Sequence, residues 1–134
     1  MLEHLVELVA DQQDRPAPTD DVSQQRVKVP ARLWGLLSTD AVPVIAPLAR
    51  GPLNVNADDA AAVLAVALRA DRLVFVSDVP GVLVDGEVVP QLSEQDARSL
   101  NGALSGGIVP KLQAAFHAAR AGVRVDVGAT VVVA

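Results

Sequence analysis

Lysine occurs twice in this sequence, at Lys28 and Lys111, against nine arginines. Lys111 closes the run Ser105-Gly106-Gly107-Ile108-Val109-Pro110-Lys111, which leads into what reads as a helix. Two glycines let backbone amides come close to a ligand, and the free N–H groups of the first helical turn aim at the same place. A lysine in that turn is electrostatically misplaced, because the positive end of the helix dipole disfavours cations. A bound anion reverses the penalty; a plain surface lysine after a flexible loop is the alternative. Neither a Walker A pattern nor Gly-x-Gly-x-x-Gly occurs, so the usual nucleotide loops are excluded.

A second polar cluster is Asn54-Val55-Asn56-Ala57-Asp58-Asp59. Helix capping accounts for one or two of these residues, not four of six. The alternating positions 54, 56 and 58 share one side of an extended segment. Ligand contact and capping both remain open for them. A third pair, Ser77-Asp78, ends the apolar run Leu73-Val74-Phe75-Val76, and Val79-Pro80-Gly81 breaks the chain after it. Asp78 is a common turn former, but the carboxyl end of a strand is also where open α/β sheets hold ligands. His4 and His117 form no pair with metal-ligand spacing. No Gly-x-Ser-x-Gly or similar nucleophile pattern occurs, which disfavours serine, cysteine and metallo-hydrolase chemistry.

The elements that must position these groups follow from periodicity and breakers. The alanine-rich run 57–70 is composed of good helix formers. Residues 73–77 read as a buried, central parallel strand. Val42-Pro43-Val44-Ile45-Ala46-Pro47 reads as a strand whose prolines keep it short or near an edge. Residues 82–89 form two β-branched arms around Asp85-Gly86, a hairpin signal. Ser93-Glu94-Gln95-Asp96 has the N-cap pattern of a short helix. A further helix starts at Ile108 or Pro110 and runs to Ala121, with Gly122 in the αL position beyond it. Residues 124–127 and 130–133 close the chain as strands. Upstream, residues 2–9 alternate as a short amphipathic helix, 11–25 read as a Pro- and Gln-rich loop, and 30–37 as a second short helix. Helices alternating with buried strands give an α/β class with a mostly parallel sheet.

Composition narrows the partners. The chain carries a formal net charge of −5, so nothing draws it to nucleic acid or an acidic membrane. Aromatic content is only 2%, and the core must be made of Val, Leu and Ala. Cysteine is absent, which removes disulfides and thiolate metal sites and fits a reducing compartment. Residues 1–10 lack a basic n-region, and no apolar run approaches the ~20 residues of a bilayer span. A cytoplasmic location is expected.

Taken in order, these motifs resemble the C-terminal half of an acetylglutamate kinase, of the amino acid kinase superfamily. The matching text is Leu53-Asn54-Val55-Asn56-Ala57-Asp58, then Leu73 through Val82, then Ser105-Gly106-Gly107-Ile108-Val109-Pro110-Lys111, with 42–47 resembling the strand before the first motif. The resemblance covers residues 42 to about 127. It implies a three-layer α/β/α, amino acid kinase (carbamate kinase-like) fold, present in part, with 1–41 a remnant of the substrate lobe and 42–134 the ATP-binding lobe. It further implies phosphorylation of the side-chain carboxylate of N-acetyl-L-glutamate with ATP and Mg2+, in arginine biosynthesis, by a homo-oligomer. Under it, Asn54 and Asn56 contact the acetylamino acid. Lys111 and Asp58 form the catalytic pair: the lysine neutralises the phosphoryl group in flight and the aspartate organises the lysines. Ser77, Asp78, Gly106 and Gly107 serve the nucleotide. Such chemistry rests on positioning and charge stabilisation, which these residue types supply. Family members are longer and open with a strand, a lysine and a glycine-rich loop that have no counterpart in this sequence. The alternatives are a non-catalytic, truncated relative that binds nucleotide or a partner chain, or a sibling kinase acting on carbamate, aspartate, glutamate or carrier-linked aminoadipate.

Overall fold

The computed structural model describes residues 29–47, 55–100, 103–104 and 107–134. The helix expected at 2–9, the loop at 11–25, and Asn54, Ser105 and Gly106 lie outside the described residues. In chain order the elements are α1 (Ala31–Leu37), α2 (Ala57–Leu68), β1 (Arg72–Phe75), β2 (Leu83–Val84), β3 (Glu87–Val88), β4 (Gln91–Ser93), α3 (Glu94–Ser99), α4 (Ile108–Arg120), β5 (Arg124–Val127) and β6 (Thr130–Val133).

Local chemistry explains their ends. The Asn56 side chain caps α2, accepting from the Asp58 N–H at 2.8 Å, and Asp58 and Asp59 occupy the first turn, where the dipole favours acids. At its other end Arg69 takes the left-handed conformation, φ 51°, that a glycine would fill without strain. The Ser93 hydroxyl accepts from the Asp96 N–H at 3.1 Å and donates to its carboxylate at 2.6 Å, so the expected cap is present. Asp85 and Gly86 both have positive φ, as a two-residue primed turn between β2 and β3 requires.

β1, β5, β6 and β4 form one sheet in that order. The β1–β5 and β6–β4 pairs are parallel and β5–β6 is antiparallel, so the sheet is mixed but mostly parallel. The register places Leu73, Phe75, Val125, Val127, Thr130, Val132 and Leu92 on one face. Their apolar members, with α2 and α4 packed side by side, build the core around Ala62, Ala65, Leu112, Ala115 and Phe116. The opposite face carries Arg72, Val74, Arg124, Asp126, Val131 and Val133.

Three expectations are corrected. Residues 42–47 form no strand; Val42 is 88% and Val44 80% exposed, and Pro43 and Pro47 have no N–H to give to a ladder. β1 is not central but lies at one edge of the described sheet, pairing with β5 alone, and Val74 and Val76 are exposed. Ser93, read only as a helix cap, also ends an unexpected strand, Gln91–Ser93, because Leu92 is buried against Val132 across the ladder.

The antiparallel return that joins β5 to β6 is tight. Gly128, at φ 56°, is the first residue of the two-residue turn, and a Cβ there would run into the Pro80 carbonyl. The segment after β1 is thereby tied to this hairpin: Gly128 N–H donates to the Phe75 carbonyl at 3.2 Å and Ala129 N–H to the Pro80 carbonyl at 2.8 Å.

Candidate functional site

Three elements bring their ends together where the chemistry was expected. Asp58 stands in the first turn of α2, Lys111 in the first turn of α4, and Phe75 ends β1. The Lys111 ammonium donates to Asp58 Oδ1 at 2.8 Å and lies 5.2 Å from the centroid of the Phe75 ring. The pair is half-sheltered, with 16% of the lysine side chain and 25% of the aspartate side chain exposed. Residues 53 apart in sequence are thus joined because α2 and α4 pack against each other over the same face of the sheet.

The electrostatics resolve the oddity of a lysine at a helix N-terminus. No acid lies in the first turn of α4, whose N-cap Gly107 offers no side chain. The ammonium therefore adds to the helix's positive end, and Asp58 supplies the compensating negative charge from the neighbouring helix. Two helix N-termini and one ammonium converge there, an arrangement that favours an anion.

The remaining expected residues divide. Asn56 is exposed and its carbonyl oxygen is used in capping α2, so the capping reading holds for it. Ser77 and Asp78 follow β1 after Val76; the Ser77 hydroxyl donates to the Asp78 carboxylate at 3.2 Å in an exposed bend. Gly107 caps α4 and is exposed. Asn54 and Gly106 lie outside the described residues. Among the described residues no group of three or more His, Asp or Glu side chains could hold a metal ion. An open cleft of about 580 Å³ lies elsewhere, lined by Ser93, Glu94, Gln95, Arg98, Ser99 and Ala134. It sits at the carboxyl ends of β4 and β6, the sheet edge opposite the end of β1, and its charged members Glu94 and Arg98 are paired at 2.6 Å.

Two supporting devices escaped the sequence reading. Thr130 is fully buried; its hydroxyl accepts from the Val82 N–H at 2.9 Å and donates to the Val89 carbonyl at 2.6 Å. It fixes the chain that leaves the Ser77-Asp78 turn, and a lone threonine in a valine-rich strand was its only signal. Asp126, 3% exposed on β5, is held by Arg72 and Arg124, the paired first residues of adjacent parallel strands. Burial acts to raise its pKa, but the hydrogen bonds and charges of Arg72 and Arg124 outweigh burial and hold the carboxyl below its ordinary range.

The fold and the site define an α/β protein with a cation presented at a helix N-terminus beside a strand's carboxyl end. The chain belongs to the amino acid kinase family, whose family model matches residues 6–128. It is 53% identical over 97 residues to the acetylglutamate kinase of Roseiflexus castenholzii, covering 69% of this chain and 38% of that protein. It is 45% identical to that of Pseudothermotoga lettingae, over 66% of this chain and 34% of the other, and 52% identical to that of Rubrobacter xylanophilus, over 68% and 37%. The chain thus spans well under half the length of the curated relatives it matches. The crystal structure of smu.665 from Streptococcus mutans UA159 superposes with a TM-score of 0.74 at 27% identity, covering 94% of this chain and 56% of that one. Among the described residues no helix is long and apolar enough to cross a membrane.

Proposed function

We propose that this chain carries the phosphoryl-handling, ATP-side lobe of an acetylglutamate kinase, acting on the side-chain carboxylate of N-acetyl-L-glutamate. The observation that supports this most directly is the Lys111–Asp58 ion pair at the meeting of two helix N-termini. ATP with Mg2+ is the phosphoryl donor in this reading. The ammonium of Lys111 leans between donor and acceptor anions and offsets the charge that builds as they approach. Asp58 holds that ammonium in place beforehand and keeps it from the solvent. Asn54 and Asn56 contact the acetylamino acid, Asn56 while its carbonyl oxygen caps α2. Ser77, Asp78, Gly106 and Gly107 border the nucleotide at the carboxyl end of β1 and the head of α4. The complete reaction, its cytoplasmic setting and a homo-oligomeric assembly belong to the same proposal.

The test is ATP-dependent formation of an acyl phosphate, trapped as the hydroxamate, with acetylglutamate compared against glutamate, aspartate and carbamate. Turnover preferring acetylglutamate upholds the reading; turnover preferring another acceptor reassigns the substrate. The alternative reading is a non-catalytic relative that binds nucleotide. It predicts a melting temperature raised by MgATP without turnover, since a ligand at ~100 times its Kd stabilises by about 2.7 kcal/mol. Neither turnover nor a shift at millimolar MgATP overturns both.

A further inference from the structure

Phe75 is 4% exposed and belongs to the buried cluster that also holds Ala62 of α2 and Leu112 of α4. Any large apolar side chain could fill that space. Only an aromatic one presents a face whose quadrupole attracts a cation, and the Lys111 ammonium lies 5.2 Å from the ring centroid. A lysine has four side-chain torsions, so one carboxylate contact leaves the ammonium free to pivot about that carboxylate. Two attractors on different elements, Asp58 at 2.8 Å and the ring at 5.2 Å, define its position. The backbone that carries the ring is fixed as well, because the Phe75 carbonyl accepts from Gly128 N–H at 3.2 Å.

We infer that Phe75 is a positioning residue: its ring holds the Lys111 ammonium over the carboxyl end of β1 before any anion arrives. The inference rests on the phosphoryl-transfer reading above and extends it to a residue that touches neither substrate nor nucleotide. Its consequence is that the cation's orientation is prearranged by the protein instead of being induced by the incoming charge. It also couples the phosphoryl-handling lysine to the strand that leads straight into Ser77 and Asp78.

The sequence makes the test practical, because Lys28 is the other lysine and Lys28→Arg assigns the Lys111 signals by elimination. Lysine labelled with 13C at Cε should show the Lys111 methylene displaced by the ring current from the position of free lysine. Fluorinated phenylalanines of near-constant size, introduced at position 75, withdraw the quadrupole stepwise, and Phe75→Leu removes it. The Lys111 signal should move stepwise toward the position of free lysine. The kcat for acyl phosphate formation should fall about 2- to 30-fold across the series, equivalent to about 0.5–2 kcal/mol, with KM and melting temperature held in the fluorinated proteins. Phe75→Leu removes the ring current whatever the ring's role, so the fluorinated proteins decide: a merely space-filling Phe75 would leave both the Lys111 signal and kcat unchanged across them, and this outcome overturns the inference. If the parent has no turnover, the phosphoryl-transfer reading fails, and the Lys111 signal still decides whether the ring holds the ammonium.

Discussion

Replacing Lys111 by methionine separates a functional cation from a structural one. The substitution keeps an unbranched apolar stem and removes the ammonium. Three contributions to stability change. The ion pair with Asp58 is lost; at 16% and 25% side-chain exposure it lies between an exposed pair, worth up to about 1 kcal/mol, and a buried hydrogen bond to a charge, worth about 1.5–3. The contact with the Phe75 ring is lost, about 0.5–1 kcal/mol. Against these, removing a cation from the head of α4 returns about 0.3–1 kcal/mol. Asp58 is not left stranded, because it is partly exposed and sits at the favourable end of α2. The net destabilisation is about 1 kcal/mol, a fall of about 4 °C in melting temperature for a chain of this size. Turnover behaves differently. Removal of one prearranged donor of transition-state charge stabilisation costs about 10²–10³ in kcat, or about 2.7–4 kcal/mol of barrier. Calorimetry and the hydroxamate assay on the same preparation read both. A melting temperature lowered by more than 10 °C with activity within a few-fold of the parent would refute the assignment and make Lys111 a structural residue.

Three further outcomes follow from the support around the site. Asp126→Asn should destabilise by about 1–2 kcal/mol, the upper range of a buried charged hydrogen bond being discounted for the 56% and 60% exposure of Arg72 and Arg124. Because the folded-state pKa of Asp126 is depressed, its stabilisation is full above the unfolded value of about 3.9 and is lost as pH falls through the folded one. Melting curves of parent and variant should therefore converge below about pH 4, and a constant gap down to pH 2 would contradict the ion-pair account. Thr130→Val, equal in size, strands the Val82 N–H and the Val89 carbonyl and should cost about 2–4 kcal/mol in denaturant melts, whereas Thr130→Ser should cost about 1. Arg69→Gly removes the left-handed strain at the end of α2 and should raise stability by up to about 1 kcal/mol; a loss of stability would mean the Arg69 side chain contributes more than its backbone costs.

The parts of this protein that sequence reveals are those set by local chemistry. Caps at Asn56 and Ser93, the Asp85-Gly86 turn and the left-handed Gly122 each depend on a few adjacent residues, and each stands where its residues place it. The Lys111–Asp58 pairing was reached only through the family resemblance; the residues alone pointed from a lysine in the first helical turn to a bound anion, not to an aspartate on another helix. What sequence could not rank was the order of the strands. A run such as Leu73-Val74-Phe75-Val76 is equally apolar at the centre or the edge of a sheet, and only pairing with β5 alone, with Val74 at 47% exposure, places it at the edge. Residues 42–47 carry the same ambiguity with the opposite outcome, since β-branched side chains favour a strand only when a neighbour accepts their backbone hydrogen bonds.

Thr130 and Asp126 show why the supporting residues are harder to find than the site itself. Apart from Arg124, two residues from Asp126, their partners are 41 to 54 residues away, and neither carries a motif. Each is a polar group buried in a sheet whose other buried residues are Phe75, Leu92, Val125, Val127 and Val132, where an unpaired hydroxyl or carboxylate is costly. That cost makes them specific: the hydroxyl is satisfied only when the chain after β1 folds back on the β5–β6 hairpin. The carboxylate is satisfied only when β1 and β5 align with Arg72 beside Arg124. A one-residue slip between β1 and β5 would turn Arg72 to the helix-packed face and leave Asp126 buried with one guanidinium fewer. The register that puts Phe75 under Lys111 is thus enforced from the other face and the other end of the same two strands.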